Sequence, residues 1–141
     1  MSTLNFLDAN VWLALLWRRH THAQRAATWA DAAGDERFLY CRFTQITVLR
    51  LLTTERVMAE DTQSMAGAWA MWERATGDAR VGFVNEPDDL QSEFRSRSQL
   101  STASPKLWAD AYLSAFATAS GLKLVTFDKA LKAHGADVLI L

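Results

Sequence analysis

Residues 107–120 read Leu-Trp-Ala-Asp-Ala-Tyr-Leu-Ser-Ala-Phe-Ala-Thr-Ala-Ser, and Asp110 is the only charged side chain in this run. The composition predicts a helix that is buried around most of its circumference. Ser104-Pro105 is typical of a helix start, and Gly121 is typical of a helix end. The run Leu122–Thr126 follows at once and predicts a buried strand. A buried helix that leads directly into a buried strand indicates an α/β protein.

The rest of the chain repeats this alternation of helices and strands. Predicted strands are Leu4–Leu7, Phe38–Cys41, Val81–Val84, Leu122–Thr126 and Val138–Ile140. Predicted helices are Val11–Trp17, His20–Ala33, Thr44–Thr53, one capped by Asp61 and ending near Gly77, Asp88–Arg97, Ser104–Ser120 and Asp128–Ala133. The pattern predicts an α/β fold in one domain, with a central parallel sheet of about five strands flanked by helices on both faces.

The composition excludes several broad classes of protein. The chain has 141 residues, of which 50% are hydrophobic and 22% are charged, so intrinsic disorder is excluded. The formal net charge of −1 gives no global sign of a nucleic-acid binder. No apolar run is long enough to span a membrane, and no secretory signal is visible. The single cysteine, Cys41, excludes an intrachain disulfide, and we expect a cytoplasmic protein.

Two aspartates follow predicted strands directly. Asp8 comes after Leu4–Leu7, and Asp128 comes two residues after Leu122–Thr126. Reactive groups in parallel sheets gather at the carboxyl ends of the strands, so these positions indicate a shared site. The alternative is that each aspartate only caps the helix that follows it.

Asp110 is the most informative acidic residue, because its predicted helix is otherwise uncharged. A buried carboxylate is costly unless it is paired or bound to a metal ion. An ion pair with an arginine is the alternative to a functional site. Three carboxylates that converge repel one another, and a divalent ion removes the conflict. Oxygen ligands favour Mg²⁺ or Mn²⁺, and we do not expect His20, His22 or His134 to join the site.

The ordered set of motifs resembles the PIN-domain ribonucleases, and most closely the VapC-type toxins of bacterial toxin–antitoxin pairs. The motifs are Asp8 in LDANVWLAL, Thr44-Gln45 in CRFTQITVLRLLT, Asp110 in WADAYLSAFA and Asp128 in LVTFDKAL. They occur in the family's order and spacing over nearly the whole chain. The resemblance implies a single PIN-like nuclease domain over residues 1–141, built on a parallel sheet with flanking helices.

The resemblance also implies a set of site residues. Asp8, Asp110 and Asp128 take three of about four acidic positions that hold Mg²⁺ or Mn²⁺. Many members carry a glutamate where this chain has Thr47, and a threonine brings no negative charge. Glu55 is too far along its helix to replace that glutamate, and Glu86 before Pro87 is more typical of a turn.

Further residues have weaker implied roles. Four polar residues are expected to hold the carboxylates by hydrogen bonds, although caps and turns favour the same residue types: Asn10, Thr44, Gln45 and Thr126. Arg42 and Arg50 are weak candidates for RNA contact. Trp12, Trp17, Trp69 and Trp72 are expected in the core first, and in a dimer or antitoxin groove second.

Three functional hypotheses follow. The first is a metal-dependent endoribonuclease, the toxin of a type II toxin–antitoxin module, with an RNA substrate, a VapB-like antitoxin and a homodimeric state. The second is a catalytically weakened PIN-fold protein that binds RNA or an antitoxin without turnover, which Thr47 keeps open. The third is a small phosphohydrolase with an aspartate nucleophile, and Asp8-Ala9-Asn10 argues against it because the usual second acid of an Asp-x-Asp pattern is absent.

Overall fold

The protein is described by a computed structural model that covers residues 3–141. The strands are β1 (Leu4–Leu7), β2 (Arg37–Tyr40), β3 (Val81–Phe83), β4 (Lys123–Thr126) and β5 (Val138–Ile140). The α-helices are α1 (Ala9–Leu16), α2 (Ala23–Ala32), α3 (Arg42–Leu52), α4 (Glu55–Met58), α5 (Met65–Thr76), α6 (Leu90–Ser98) and α7 (Leu107–Ser120). Short 3-10 helices occupy Ala59–Asp61 and Lys129–His134.

The five strands form one sheet in the order β3-β2-β1-β4-β5. All four neighbouring pairs are parallel, which confirms the predicted fold class. β1 lies at the centre, between β2 and β4, and three of its four residues are buried. The carboxyl ends of β1 and β4 therefore lie side by side in the middle of one edge of the sheet.

Each face of the sheet has its own hydrophobic cluster, so helices cover both faces. Leu7 belongs to the cluster made with α1, α2, α3 and α5, where Trp12 and Trp72 pack 5.4 Å apart. Phe6 points to the opposite face and joins the cluster made with α6 and α7. Its ring stacks on Phe116 of α7 at 4.7 Å between centroids and 8° between planes. This alternation along β1 follows from the two-residue period of a strand.

The predicted helix starts at Val11, Thr44 and Asp88 are each two residues from the observed ones, and three further predicted starts are wrong. α7 begins at Leu107, after a turn at Ser104-Pro105, and Lys106 precedes it without a side-chain cap. α5 is capped by Ser64, whose hydroxyl accepts a hydrogen bond from the Gly67 amide at 3.0 Å. Its predicted cap, Asp61, instead accepts a hydrogen bond from the Trp17 indole.

The third correction concerns α2, which begins at Ala23 rather than at His20. Residues 18–22 form a turn, in which the His22 amide donates to Nδ1 of His20 at 2.9 Å. This local hydrogen bond satisfies the His22 amide within a turn, which is an alternative to a helical conformation at these residues. The turn positions both histidines at the carboxyl edge of the sheet.

We predict that the Phe6–Phe116 stack is a main contributor to stability. Phe116→Ala removes a fully buried ring and should lower the free energy of unfolding by about 3–5 kcal/mol. Trp108→Ala on the same helix is the matched control, since that ring is 58% exposed and its loss should cost less than about 1 kcal/mol. Urea unfolding measures both values, and equal losses would contradict the described packing of α7.

Candidate active site

Asp8 and Asp128 lie where the two central strands end. Leu7 of β1 pairs with Val125 of β4, and the Asp8 amide continues the ladder by donating to the Val125 carbonyl at 2.9 Å. Asp8 is therefore level with Thr126, two residues before Asp128. The parallel register brings the two acidic residues to the same edge of the sheet.

Asp8 is a helix cap and a site residue at once. Its Oδ1 accepts a hydrogen bond from the Ala9 amide at 2.7 Å, which caps α1. Its Oδ2 accepts a hydrogen bond from the Thr126 hydroxyl at 2.8 Å. Capping and site membership are therefore compatible, and together the two bonds fix the carboxylate.

Thr126 connects both strand ends. It is fully buried, and its hydroxyl oxygen also accepts a hydrogen bond from the Asp128 amide at 3.0 Å. Asp128 is exposed, and its Oδ1 accepts from the Ala130 amide at 2.9 Å, which caps the 3-10 helix that follows. The expected hydrogen bond between Thr126 and a site carboxylate is present.

Asp110 lies in the first turn of α7, one turn earlier in the helix than the sequence suggested, and it is half-buried rather than enclosed. Within residues 3–141 it forms no salt bridge with an arginine. Burial raises its pKa, the charge of Asp128 raises it further, and His134 opposes this effect. Asp110 therefore lies within electrostatic range of Asp128.

The three carboxylates act on one another. Burial raises the pKa of Asp8, and the negative charges of Asp110 and Asp128 add to the rise. The hydrogen bonds from Thr126 and Ala9 oppose it by stabilising the charged form. No lysine or arginine forms a salt bridge with any of the three in the described part of the chain. The cluster therefore has uncompensated negative charge.

The chemistry of this donor set fits a small divalent cation, because all the candidate ligand atoms are carboxylate oxygens. As the side chains stand, however, residues 3–141 contain no group of three His, Cys, Asp or Glu residues close enough to hold a metal ion. The acidic residues converge electrostatically without forming a complete metal site. Asp8 is fixed by two hydrogen bonds, whereas Asp128 is exposed and has room to rotate.

The polar residues of α3 do not hydrogen-bond to the carboxylates, contrary to the expectation for Thr44 and Gln45. Thr44 lies 3.4 Å from Sγ of Cys41, and Gln45 accepts a hydrogen bond from Arg42. The Thr47 hydroxyl donates to a backbone carbonyl of its own helix at 2.9 Å. Local partners satisfy these side chains, so a role toward a metal ion stays a prediction.

The two arginines predicted to contact RNA lie on the surface of α3. The Arg42 guanidinium lies 4.8 Å from the centroid of the Phe83 ring, at the outer strand β3. Arg50 is exposed. Neither forms a salt bridge with a site carboxylate in the described residues, and RNA contact by either stays a prediction.

The sequence pattern did not predict that His20 and His22 lie at the carboxyl edge of the sheet. Asn10, expected to hold a carboxylate, instead has its Oδ1 at 3.4 Å from Nε2 of His20. The predicted helix His20–Ala33 would direct the rings of His20 and His22 apart, but they lie 5.8 Å apart and both pack against Phe127. The turn after α1 brings both rings to the same side, and predicting this turn instead of a helix would have located them.

Comparison with known proteins agrees with this architecture. The family profile "PIN domain" matches residues 6–136. Ribonuclease VapC41 of Mycobacterium tuberculosis is 35% identical over 133 residues, which is 91% of each chain. Ribonuclease VapC44 of the same organism is 35% identical over 126 residues, covering 89% of this chain and 86% of that one. The chain belongs to the PIN-domain family. Within that family, it belongs with the VapC ribonucleases.

Solved structures share the fold at low sequence identity. VapC20 of M. tuberculosis, a toxin that cleaves the sarcin-ricin loop, aligns with a TM-score of 0.66 and 16% identity over 94% of this chain and 95% of its own. VapBC2 of Rickettsia felis, bound to a fragment of promoter DNA, aligns with a TM-score of 0.66 and 10% identity over 99% of both chains. Among residues 3–141, no helix has the length and apolar character needed to cross a membrane.

The raised pKa of Asp8 predicts a pH-dependent cost to folding. The folded protein binds this proton more tightly than the unfolded chain, so the stability contribution is present below the ordinary value of 3.8 and is lost as the pH rises through the raised pKa. Asp8→Asn keeps an acceptor for Ala9 and removes the charge. We expect this variant to be more stable than the parent at neutral pH in EDTA.

Measuring the parent protein and Asp8→Asn at acid pH provides the control. The stability difference should shrink as the pH falls into the acid range, because a growing fraction of the parent then carries a protonated Asp8. Urea unfolding at several pH values measures it. A constant difference across this range would show that the Asp8→Asn substitution acts through packing, and not through the charge.

Proposed function

We propose that this chain is a divalent-metal-dependent endoribonuclease and the toxin of a type II toxin–antitoxin pair. The observation that carries the proposal is the set of three carboxylates at the carboxyl edge: the charges of Asp110 and Asp128 raise the pKa of Asp8, the charge of Asp128 raises the pKa of Asp110, and none of the three forms a salt bridge in the described residues. The VapC relatives are named ribonucleases, which supports the same reaction class.

The proposed metal ligands are Asp8, Asp110 and Asp128, with Mg²⁺ or Mn²⁺ as the ion. When bound, such an ion supplies Lewis-acid stabilisation of phosphoryl oxygens and lowers the pKa of a bound water. Thr126 holds Asp8 in place through its hydroxyl. Asp128 accepts one hydrogen bond, from the Ala130 amide, and Asp110 forms no salt bridge in the described residues, so both side chains would reorient to complete the set.

The chemical step is hydrolysis of a phosphodiester bond. A water oxygen attacks phosphorus, the bond from phosphorus to one ribose oxygen breaks, and the leaving alkoxide takes up a proton from solvent. Asp8 or Asp110 is proposed to orient the attacking water and to accept its proton. Pairing of either carboxylate with an arginine would weaken this role, and no such pair is present in residues 3–141.

A protein partner is part of the proposal. VapBC and FitAB complexes are among the proteins of similar fold, and they support a VapB-like antitoxin for this chain. Large apolar side chains are exposed on α3 and α5: Ile46, Met65 and Trp69. This apolar surface is of the kind that a partner covers, and we propose that it serves the antitoxin or the second copy of a homodimer.

The alternative, a PIN-fold protein that binds without turnover, rests on Thr47. This half-buried residue supplies no negative charge where many relatives carry glutamate. The two functions differ in whether purified protein cleaves RNA in the presence of Mg²⁺ or Mn²⁺. Cleavage that depends on the acidic residues favours the nuclease, and binding without any cleavage favours the alternative.

We predict that Asp8→Asn and Asp128→Asn each reduce Mg²⁺-dependent RNA cleavage by at least about 100-fold, because loss of a ligand should cost no less than loss of an outer hydrogen-bond partner. Asp35→Asn is the matched control, since Asp35 is an exposed acid in the turn before β2. Gel assays with Mg²⁺ or Mn²⁺, and with EDTA, measure the rates. Equal rates in the parent and both site variants would reject the assignment.

Restoring the missing acid gives a second prediction. Thr47→Glu should tighten Mg²⁺ binding by roughly tenfold, as expected for an added carboxylate near the site, and should raise cleavage at low Mg²⁺. Ile46→Glu is the control, because Ile46 is exposed on the neighbouring position of α3. Mg²⁺-induced shifts in melting temperature measure the affinity. An equal gain in both variants would show a general charge effect instead of a ligand position.

A further inference from the structure

Three aromatic rings form a cluster beside the acidic residues, which we call the ring platform: His20, His22 and Phe127. The centroids of His22 and Phe127 lie 4.6 Å apart, with 32° between the planes. The His20 and Phe127 centroids lie 6.1 Å apart, with 25° between the planes. All three side chains are half-buried, so part of each remains accessible.

Hydrogen bonds and an aromatic contact hold the ring platform in place. Nδ1 of His20 accepts the His22 amide, so in the neutral ring the proton lies on Nε2 and is donated to Asn10 in the first turn of α1. Trp17 packs edge-on against His20, with centroids 6.0 Å apart. The Trp17 indole in turn donates to Asp61 at 2.8 Å. These contacts fix the rings in the absence of a ligand, which lowers the entropic cost of binding.

The surroundings of the ring platform suit an anionic chain. Phe127 directly precedes Asp128, a proposed metal ligand, and exposed Lys129 follows. Arg25 lies at the same edge, where it donates to the Leu141 carbonyl at 3.2 Å. Within residues 3–141 Lys129 forms no salt bridge, whereas Arg25 is engaged by the Leu141 oxygen. Accessible rings and nearby cations are the combination that single-stranded nucleic acids recognise, through base stacking and phosphate contact.

We infer that the ring platform is a stacking subsite for a nucleobase of single-stranded RNA, next to the phosphate that the acidic residues address. The inference rests on the proposed function for its substrate class. A packing role for the turn alone explains the contact with Trp17. It leaves unexplained why three rings stay accessible beside Lys129, which forms no salt bridge in the described residues.

The test measures RNA binding in EDTA, so that cleavage does not enter. The probes are a fluorescein-labelled heptamer of adenosine and a labelled heptamer of the same ribose-phosphate backbone without bases. The variants Phe127→Leu and His22→Leu keep apolar volume and remove the ring faces. Trp108→Leu is the matched control, because Trp108 is 58% exposed on α7. Melting temperatures confirm that each variant is folded.

We expect the parent protein to bind the adenosine heptamer roughly tenfold more tightly than the abasic heptamer, as one stacked base contributes on this scale. Phe127→Leu and His22→Leu should remove most of this preference and leave binding of the abasic heptamer unchanged. Trp108→Leu should behave as the parent.

Several results would overturn the inference. For the parent protein, they are equal binding of both heptamers or no binding of either heptamer. For Phe127→Leu and His22→Leu, they are an unchanged preference for the adenosine heptamer or an equal loss of affinity for both heptamers. Mg²⁺-dependent cleavage of a longer RNA by the same preparations is measured separately. Normal cleavage with an unchanged base preference in the variants rejects the subsite alone, whereas absence of cleavage in the parent rejects the proposed function.

Discussion

The hydrogen bond from the Thr126 hydroxyl to Asp8 is the contact on which the site depends. It joins residues 118 positions apart in the chain and spans the ends of the two central strands. The same oxygen accepts the Asp128 amide, so one buried side chain sets two of the three acidic positions. Parallel pairing of β1 and β4 makes this possible, because both strands present their carboxyl ends at the same edge.

This arrangement is electrostatically unfavourable for the charged form of Asp8. Burial and two like charges act against ionisation of Asp8, while two hydrogen bonds act in its favour. An all-apolar edge would fold with less conflict, but it would have no affinity for a cation. The folded chain therefore carries repulsion that binding of a cation would relieve, as is common where function and stability make opposite demands.

The sequence predicted the features that depend on local pattern. The strand β1 is found at Leu4–Leu7, and the alternation of elements was sufficient for a parallel α/β sheet. Asp8 and Asp128 were located because strand ends converge by topology. What could not be predicted depends on contacts between distant residues: Asp61 bonding to Trp17 instead of capping α5, and His20 held by Asn10. The distances among the three carboxylates are also set by tertiary packing, and periodicity carries no information about them.

The two outer strands, β3 and β5, are only three residues long. Arg42 covers Phe83 at the end of β3, and an edge this short offers few open backbone groups. Another polypeptide therefore gains little by extending the sheet as an added strand. Complexes of this molecule should be built from helix faces and side-chain contacts, and the short edges also leave little template for cross-β aggregation.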